Sequence, residues 1–292
     1  MTDSGPRTGL ILGGGGVVGV AWELGVLAAI TTDAGWNPAR ATVITGTSAG
    51  SMAGAITALG RDLPAIVARR TAGLTLPEAS SAPAGDAPTS AISPELLDLM
   101  RPGTSTVTER ARAVGRLARA ARPAMDAAAY RAFIGSSVPA GWPDGDLRLT
   151  TVDCDTGETV LLDRHSGLDL IDAVAASCAV PTYFPTVEHQ GRHFTDGPRG
   201  PYIAALAAEL GLTAIVFVGL RLPFMAGADE HAELDELAAG GLPVARITDG
   251  PGFAAVAGDL MDPAAAAVAT LIGLGDGRNG AAGVRQALAA AG

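Results

Sequence analysis

Lysine is absent: all 20 cationic side chains of the 292-residue chain are arginine, and they are outnumbered by 30 acidic residues. The formal net charge of −10 excludes nucleic acid as the main partner, because phosphate binding needs clustered cations that release counterions. Cysteine is scarce. Cys154 and Cys178 are too few and too far apart for a disulfide framework or a structural zinc site, so they read as small buried hydrophobes. The four histidines (His165, His189, His193 and His231) show no metal-ligand spacing with carboxylates, so neither a metal nor a cofactor is expected. An uninterrupted apolar run long enough for a membrane span is also missing. Between Leu10 and Ile30 the tract Gly13 to Gly16 breaks any helix and Glu23 sits inside the run, and no cleavage signal follows. These absences lead to the expectation of a cytoplasmic protein.

Apolar residues, in contrast, are plentiful. They make up 48% of the chain against 17% charged, enough for a sizeable core, and 292 residues suit one α/β unit around one sheet. Thr8 to Leu12 reads as a buried strand, followed by glycines and then by apolar residues at helical spacing from Val18 to Ile30. Thr42 to Thr45 is a second β-branched strand, followed by a sharp glycine turn and a helix from Ser51 to Leu59. Strands at Leu147 to Cys154, Glu158 to Leu162 and Thr213 to Gly219, a hairpin from Glu188 to Phe194 and a helix from Leu168 to Ser177 continue the alternation. The pattern predicts a three-layer α/β/α sandwich with a mostly parallel central sheet. The Ala-rich C-terminal stretches Phe253 to Leu274 and Gly280 to Ala291 read as helices packed outside the sheet and building no site.

One domain over residues 1–292 is expected, with a cap or lid insertion at about 77–145, because Pro77 to Pro94 is rich in Pro, Ser, Ala and Gly without a period. Within the insertion, Thr106 to Arg122 interleaves Arg110, Arg112, Arg116, Arg119 and Arg122 with apolar residues. Such a helix suits contact with an anionic membrane surface, or else an ordinary solvated face. Nothing in the residues bears on oligomeric state.

Gly46-Thr47-Ser48-Ala49-Gly50 fits G-x-S-x-G between a strand and a helix, where small flanking residues permit a strained turn that presents Ser48 as a nucleophile. The competing reading is a serine that only caps the helix. Gly13, Gly14, Gly15 and Gly16 lie between the first strand and helix, where backbone N–H groups of Gly14, Gly15 and Gly16 could converge as an oxyanion hole. Gly14, Gly16 and Gly19 also satisfy the dinucleotide fingerprint G-x-G-x-x-G. That fingerprint requires an acid at the end of the second strand, where this chain has Gly46-Thr47-Ser48.

Leu12 to Gly16 with Gly19, then Gly46 to Gly50, then Ala176 to Pro185, then Asp196-Gly197 together resemble, in order, the signatures of patatin-like phospholipases. The resemblance spans about residues 8 to 200. It implies hydrolysis of lipid acyl esters, phospholipid or lysophospholipid, by a Ser48–Asp196 dyad without histidine, with Gly13, Gly19, Gly46, Gly50 and Gly197 supporting the motifs. Two positions depart from the family pattern. Val18 stands where the family usually has Arg or Lys, so no cation for an anionic head group is expected there, and Pro198 follows Asp196-Gly197 where a small residue is common. A catalytically impaired lipid-binding or regulatory protein is the alternative that these departures motivate.

Overall fold

The first apolar run forms β1 (Thr8–Leu12), buried along its whole length, and the chain then turns through glycines into α1 (Gly16–Asp33). β2 (Val43–Thr47) and α2 (Ala49–Ala58) repeat the pattern. The computed structural model describes residues 6–74, 93–100, 106–196, 202–221 and 228–292. α3 (Leu63–Thr71) starts at Asp62, whose carboxylate accepts the Ala65 N–H at 3.0 Å. Three helices follow: α4 (Pro94–Met100), α5 (Val107–Ala120) and α6 (Ala127–Gly135). The next elements are β3 (Leu147–Asp153), β4 (Thr159–Leu162), α7 (Leu170–Ser177), β5 (Val187–His189) and β6 (Arg192–Thr195). The chain ends with α8 (Ile203–Leu210), β7 (Ala214–Val218), α9 (Ala228–Ala239), β8 (Val244–Ile247) and α10 (Ala266–Ala290).

The strands form one eight-stranded sheet in the order β5-β6-β3-β2-β1-β7-β8, with β4 also paired to β3. Pairing is parallel from β3 through β2, β1 and β7 to β8, and antiparallel where β4, β5 and β6 join. Side-chain alternation divides the molecule into layers. Leu10 and Leu12 of β1 and Val216 and Val218 of β7 enter the larger core, with side chains of α1, α2, α7 and α10. Ile11, Ile215 and Phe217 point the other way, into a smaller core with Ile203, Leu206 and Leu234 of α8 and α9. The expected three-layer sandwich with a mostly parallel sheet is the observed architecture.

α1 is long and apolar enough to cross a membrane by length and composition, yet two thirds of it is buried inside the protein. It packs against α10 at very short range. A Cβ added at Gly273 would lie 2.1 Å from the Trp22 carbonyl oxygen, and one at Gly25 would lie 2.3 Å from that of Thr270. This corrects the C-terminal expectation. α10 is one helix of 25 residues; it packs outside the sheet, as expected, but against α1, and contrary to expectation it lines the cavity described below. Its glycines and alanines, which look featureless in sequence, are what allow the approach.

Most of the Pro77 to Pro94 loop lies outside the described residues. Beyond it, the arginine-bearing α5 opens with a capping box between Thr106 and Glu109 and buries Ala111, Val114, Gly115 and Ala118. Two of its arginines are tied to the β3–β4 turn: Arg112 donates to the Thr156 carbonyl at 2.7 Å, and Arg119 pairs with Asp155 at 2.5 Å.

Candidate active site

β2 delivers Ser48 to the carboxyl edge of the sheet, where its main chain adopts φ 52°, ψ −115°. A side chain rarely takes that conformation unless its surroundings impose it. Ser48 precedes α2, but its hydroxyl makes no capping hydrogen bond, so the reading of a serine that merely caps a helix does not hold. The flanking glycines are required by close approach: a Cβ at Gly46 would lie 2.2 Å from the Gly50 oxygen, and one at Gly50 would lie 2.5 Å from the Leu12 oxygen. The Gly50 N–H donates to the Gly13 carbonyl at 2.8 Å, which locks the serine turn to the glycine loop.

Within that loop, Gly13 donates to Val218 at 2.9 Å and Gly19 to Gly15 at 2.8 Å. The N–H groups of Gly14, Gly15 and Gly16 have no acceptor among the described residues. Gly16 has φ +62°, and the Leu260 carbonyl oxygen lies where its side chain would be, accepting the Val18 N–H at 3.0 Å. The chain itself therefore covers part of the first turn of α1, where a dinucleotide pyrophosphate would sit.

Asp196 immediately follows β6 and is buried. Thr150 is paired with Thr47, and Val152 with Thr195, so continuing the two registers brings positions 48 and 196 both level with Thr151. They stand two strands apart, about 10 Å between main chains at ordinary strand spacing, a gap narrowed by whatever the two side chains span. Buried hydroxyls hold the floor between them. Ser177 accepts the Ser48 N–H at 3.1 Å and donates to the Thr150 carbonyl at 2.6 Å, with Ser51 Oγ 2.5 Å away. Thr151 Oγ1 lies 3.0 Å from the Thr195 oxygen, and Thr195 Oγ1 donates at 2.7 Å to the Ala179 carbonyl, which also accepts the Asp196 N–H.

A cavity of about 420 Å³ opens beside Ser48. Gly16, Val17 and Val20 of α1, Met52 of α2, Phe133 and Ile134 of α6, Val180, Phe184, Met261, Pro263, and Ala266, Ala267 and Thr270 of α10 line it, and Arg70 is its one charged lining residue among the described residues. Cys178 also faces it, its thiol donating to the Ser48 carbonyl at 3.0 Å. Burial, followed by the charges of Asp196 and Glu23, pushes the Cys178 thiol well above its usual range, and burial pushes Cys154 up to about 12. Neither is disposed to act as a thiolate. No histidine lines the cavity among the described residues. His193 Nδ1 lies 3.2 Å from Thr186 Oγ1, His189 Nε2 lies 3.1 Å from the Ser166 carbonyl, and His231 packs on Phe217.

Residues 10–198 match the sequence profile of the patatin-like phospholipases, a span that includes the glycine loop, the serine turn and Asp196. The chain belongs to the patatin-like phospholipase family. Its solved structural neighbours include VipD from Legionella pneumophila, with a TM-score of 0.48 and 14% identity over 97% of this chain and 67% of that one. The type III effector protein ExoU is another, with a TM-score of 0.42 and 19% identity over 97% of this chain and 53% of that one. The chain therefore spans little more than half the length of ExoU. No curated protein matches the sequence.

Of the patatin-like signature residues, Gly197 lies outside the described residues, as does Pro198. Val18 is fully buried in the larger core, so the position where the family usually carries a cation does not face the cavity in this chain. Sequence reasoning missed Ser177 as the hydrogen-bond hub beneath Ser48. It also missed Glu23 as more than a break in an apolar run. Glu23 is completely buried on α1, and neither carboxyl oxygen has a hydrogen-bond partner among the described residues. Burial raises its pKa well above the usual carboxylate range, the Gly13 backbone offsets part of that, and the Glu230 charge adds to it.

Proposed function

We propose that the protein is a serine acyl hydrolase of lipid esters, with phospholipid or lysophospholipid as substrate. Ser48 is its nucleophile and Asp196 its catalytic base. The observation that carries this reading is the strained, non-capping Ser48 at the edge of an apolar cavity. A backbone held at such a cost, and a hydroxyl not spent on the helix, suit a nucleophile.

In the proposed cycle Ser48 Oγ bonds to the ester carbonyl carbon while its proton passes to Asp196. The N–H groups of Gly14, Gly15 and Gly16 stabilise the oxyanion, and the positive end of α1 adds to them. Collapse of the tetrahedral intermediate breaks the bond to the alcohol, which takes the proton from Asp196. Water then attacks the acyl-enzyme, gives its proton to Asp196, and leaves a carboxylic acid as Ser48 regains its hydrogen. A carboxylate is a weak base for a hydroxyl, so exclusion of water from the cavity and strong oxyanion binding must make up the difference.

Labelling with a fluorophosphonate, followed by intact-mass measurement, tests this reading. One adduct is expected on the wild-type protein and none on Ser48→Ala. A folded wild-type protein that takes up no adduct would leave lipid binding without hydrolysis as the function.

A further inference from the structure

We infer that Arg70 is a specificity-determining residue that selects lipids with a net negative head group over zwitterionic or uncharged ones. This rests on the reading of Ser48 as the nucleophile. Arg70 lies in the last turn of α3 and is exposed, yet it lines the same cavity as Ser48 and is the one charged residue to do so among the described residues. Five other arginines (Arg119, Arg131, Arg148, Arg192 and Arg246) pair with carboxylates, whereas Arg70 has no such partner among the described residues.

The rest of the lining is apolar or neutral, so the cavity divides by chemistry. Apolar walls such as Phe133, Ile134, Val180 and Phe184 take the acyl chain, and Arg70, an exposed residue of the lining, is left for the other end of the ester. A guanidinium presents a planar fork of donors that matches two oxygens of a phosphate, and its bonds to such an anion are stronger than neutral ones. A quaternary ammonium in the same head group repels the guanidinium and offsets part of that gain, whereas a head group of net negative charge keeps it. Among the described residues no second cation lines the cavity, since Val18 is buried and the α1 residues facing it are Gly16, Val17 and Val20. The net charge of −10 sharpens the need, because a chain that repels anions at long range must capture one by a local contact.

The test compares wild type, Arg70→Ala and Arg70→Lys on three substrates: dihexanoyl phosphatidylglycerol and dihexanoyl phosphatidylcholine, both below their micelle concentrations, and p-nitrophenyl butyrate. Arg70→Ala is expected to lose roughly tenfold to hundredfold in kcat/KM on the anionic lipid, mostly through KM, to lose severalfold less on phosphatidylcholine, and to lose least on p-nitrophenyl butyrate, which carries no phosphate. Arg70→Lys should recover part of the loss, and added salt should shrink the wild-type preference. Equal losses on all three substrates, or no loss on the anionic lipid, would overturn the inference. So would a loss seen only with phosphatidylglycerol vesicles and not with the monomeric lipid, because the arginine would then attract a surface and not read a head group. Failure of the nucleophile reading looks different: the wild-type protein would hydrolyse none of the three and take up no fluorophosphonate.

Discussion

Replacing Ser48 by glycine should inactivate the protein and stabilise it, whereas replacement by alanine should inactivate it without that gain. Both substitutions remove the hydroxyl, so the difference between them isolates the main chain. At φ 52°, ψ −115°, alanine keeps the strain that serine bears, and glycine does not. A non-glycine residue in so sparsely populated a region costs about 1–3 kcal/mol. Glycine returns about 0.4–1 kcal/mol of that through the greater freedom of its unfolded chain. Mid-range values leave Ser48→Gly about 1 kcal/mol more stable than Ser48→Ala, a rise in Tm of roughly 2–4 °C. Thermal unfolding of the two variants by circular dichroism, with hydrolysis of a p-nitrophenyl ester as the activity control, measures both effects. A Ser48→Gly protein that melts at or below Ser48→Ala would refute the claim that the serine turn stores strain.

Three further outcomes follow from the same geometry. Asp196→Asn should abolish ester turnover while leaving the melting curve cooperative, and alanine at His165, His189, His193 or His231 should leave substantial activity; a histidine variant as inactive as Ser48→Ala would sink the dyad. Ser177→Ala strands the Ser48 N–H and the Ser51 hydroxyl, at about 1–3 kcal/mol for each buried group, so urea unfolding should show a loss of roughly 2–6 kcal/mol, with kcat falling more than KM. The Glu23 carboxyl has a folded pKa raised above its unfolded value, so its favourable contribution is complete below the unfolded pKa and is lost as pH rises toward the folded one. Glu23→Gln, which never ionises, should therefore gain on wild type by up to about 1.4 kcal/mol per pH unit across that window; a stability difference that does not change with pH would refute this.

The two strand–glycine–helix units at the start of the chain were legible because each signal agreed with the next. Continuous apolar runs marked β1 and β2, and glycines between strand and helix marked the turns. Gln190-Gly191 marked the β5–β6 hairpin for a similar reason, since both residues take positive φ there. The C-terminal wall of the site was not legible. Gly25, Gly273 and Gly277 are required because α1 and α10 approach within a side chain's radius, and sequence alone does not say which glycines face which. β8 (Val244–Ile247) escaped notice: it is four residues long, and no hairpin-type turn such as Asp155-Thr156-Gly157 or Gln190-Gly191 pairs it with a sequence neighbour. The threonines and serines under the site looked like ordinary strand and helix residues. Their role appears only when Thr47, Thr150, Thr151, Ser177 and Thr195 are brought together across β2, β3, α7 and β6. Arg70, likewise, reads as a common helix-end cation until α3 is folded over the cavity.

The serine turn is held from every side, and this explains how the strain persists. Gly46 and Gly50 let the turn close on itself and on β1. Ser177 holds the Ser48 N–H, the Cys178 thiol holds its carbonyl, and the Gly13 carbonyl holds Gly50. Each restraint is modest alone, but they act on Ser48 and Gly50 from two other segments, the end of α7 and the end of β1, so the turn cannot relax without breaking several at once. The same restraints bind the glycine loop to the nucleophile, since Gly13 contacts Gly50 on one side and Val218 on the other. The proposed oxyanion donors and the proposed nucleophile are therefore tied to each other through the main chain. The proposed Ser48–Asp196 dyad would require such an arrangement, because a carboxylate base without histidine has less proton-transfer driving force to spare for reorganising its surroundings during the reaction.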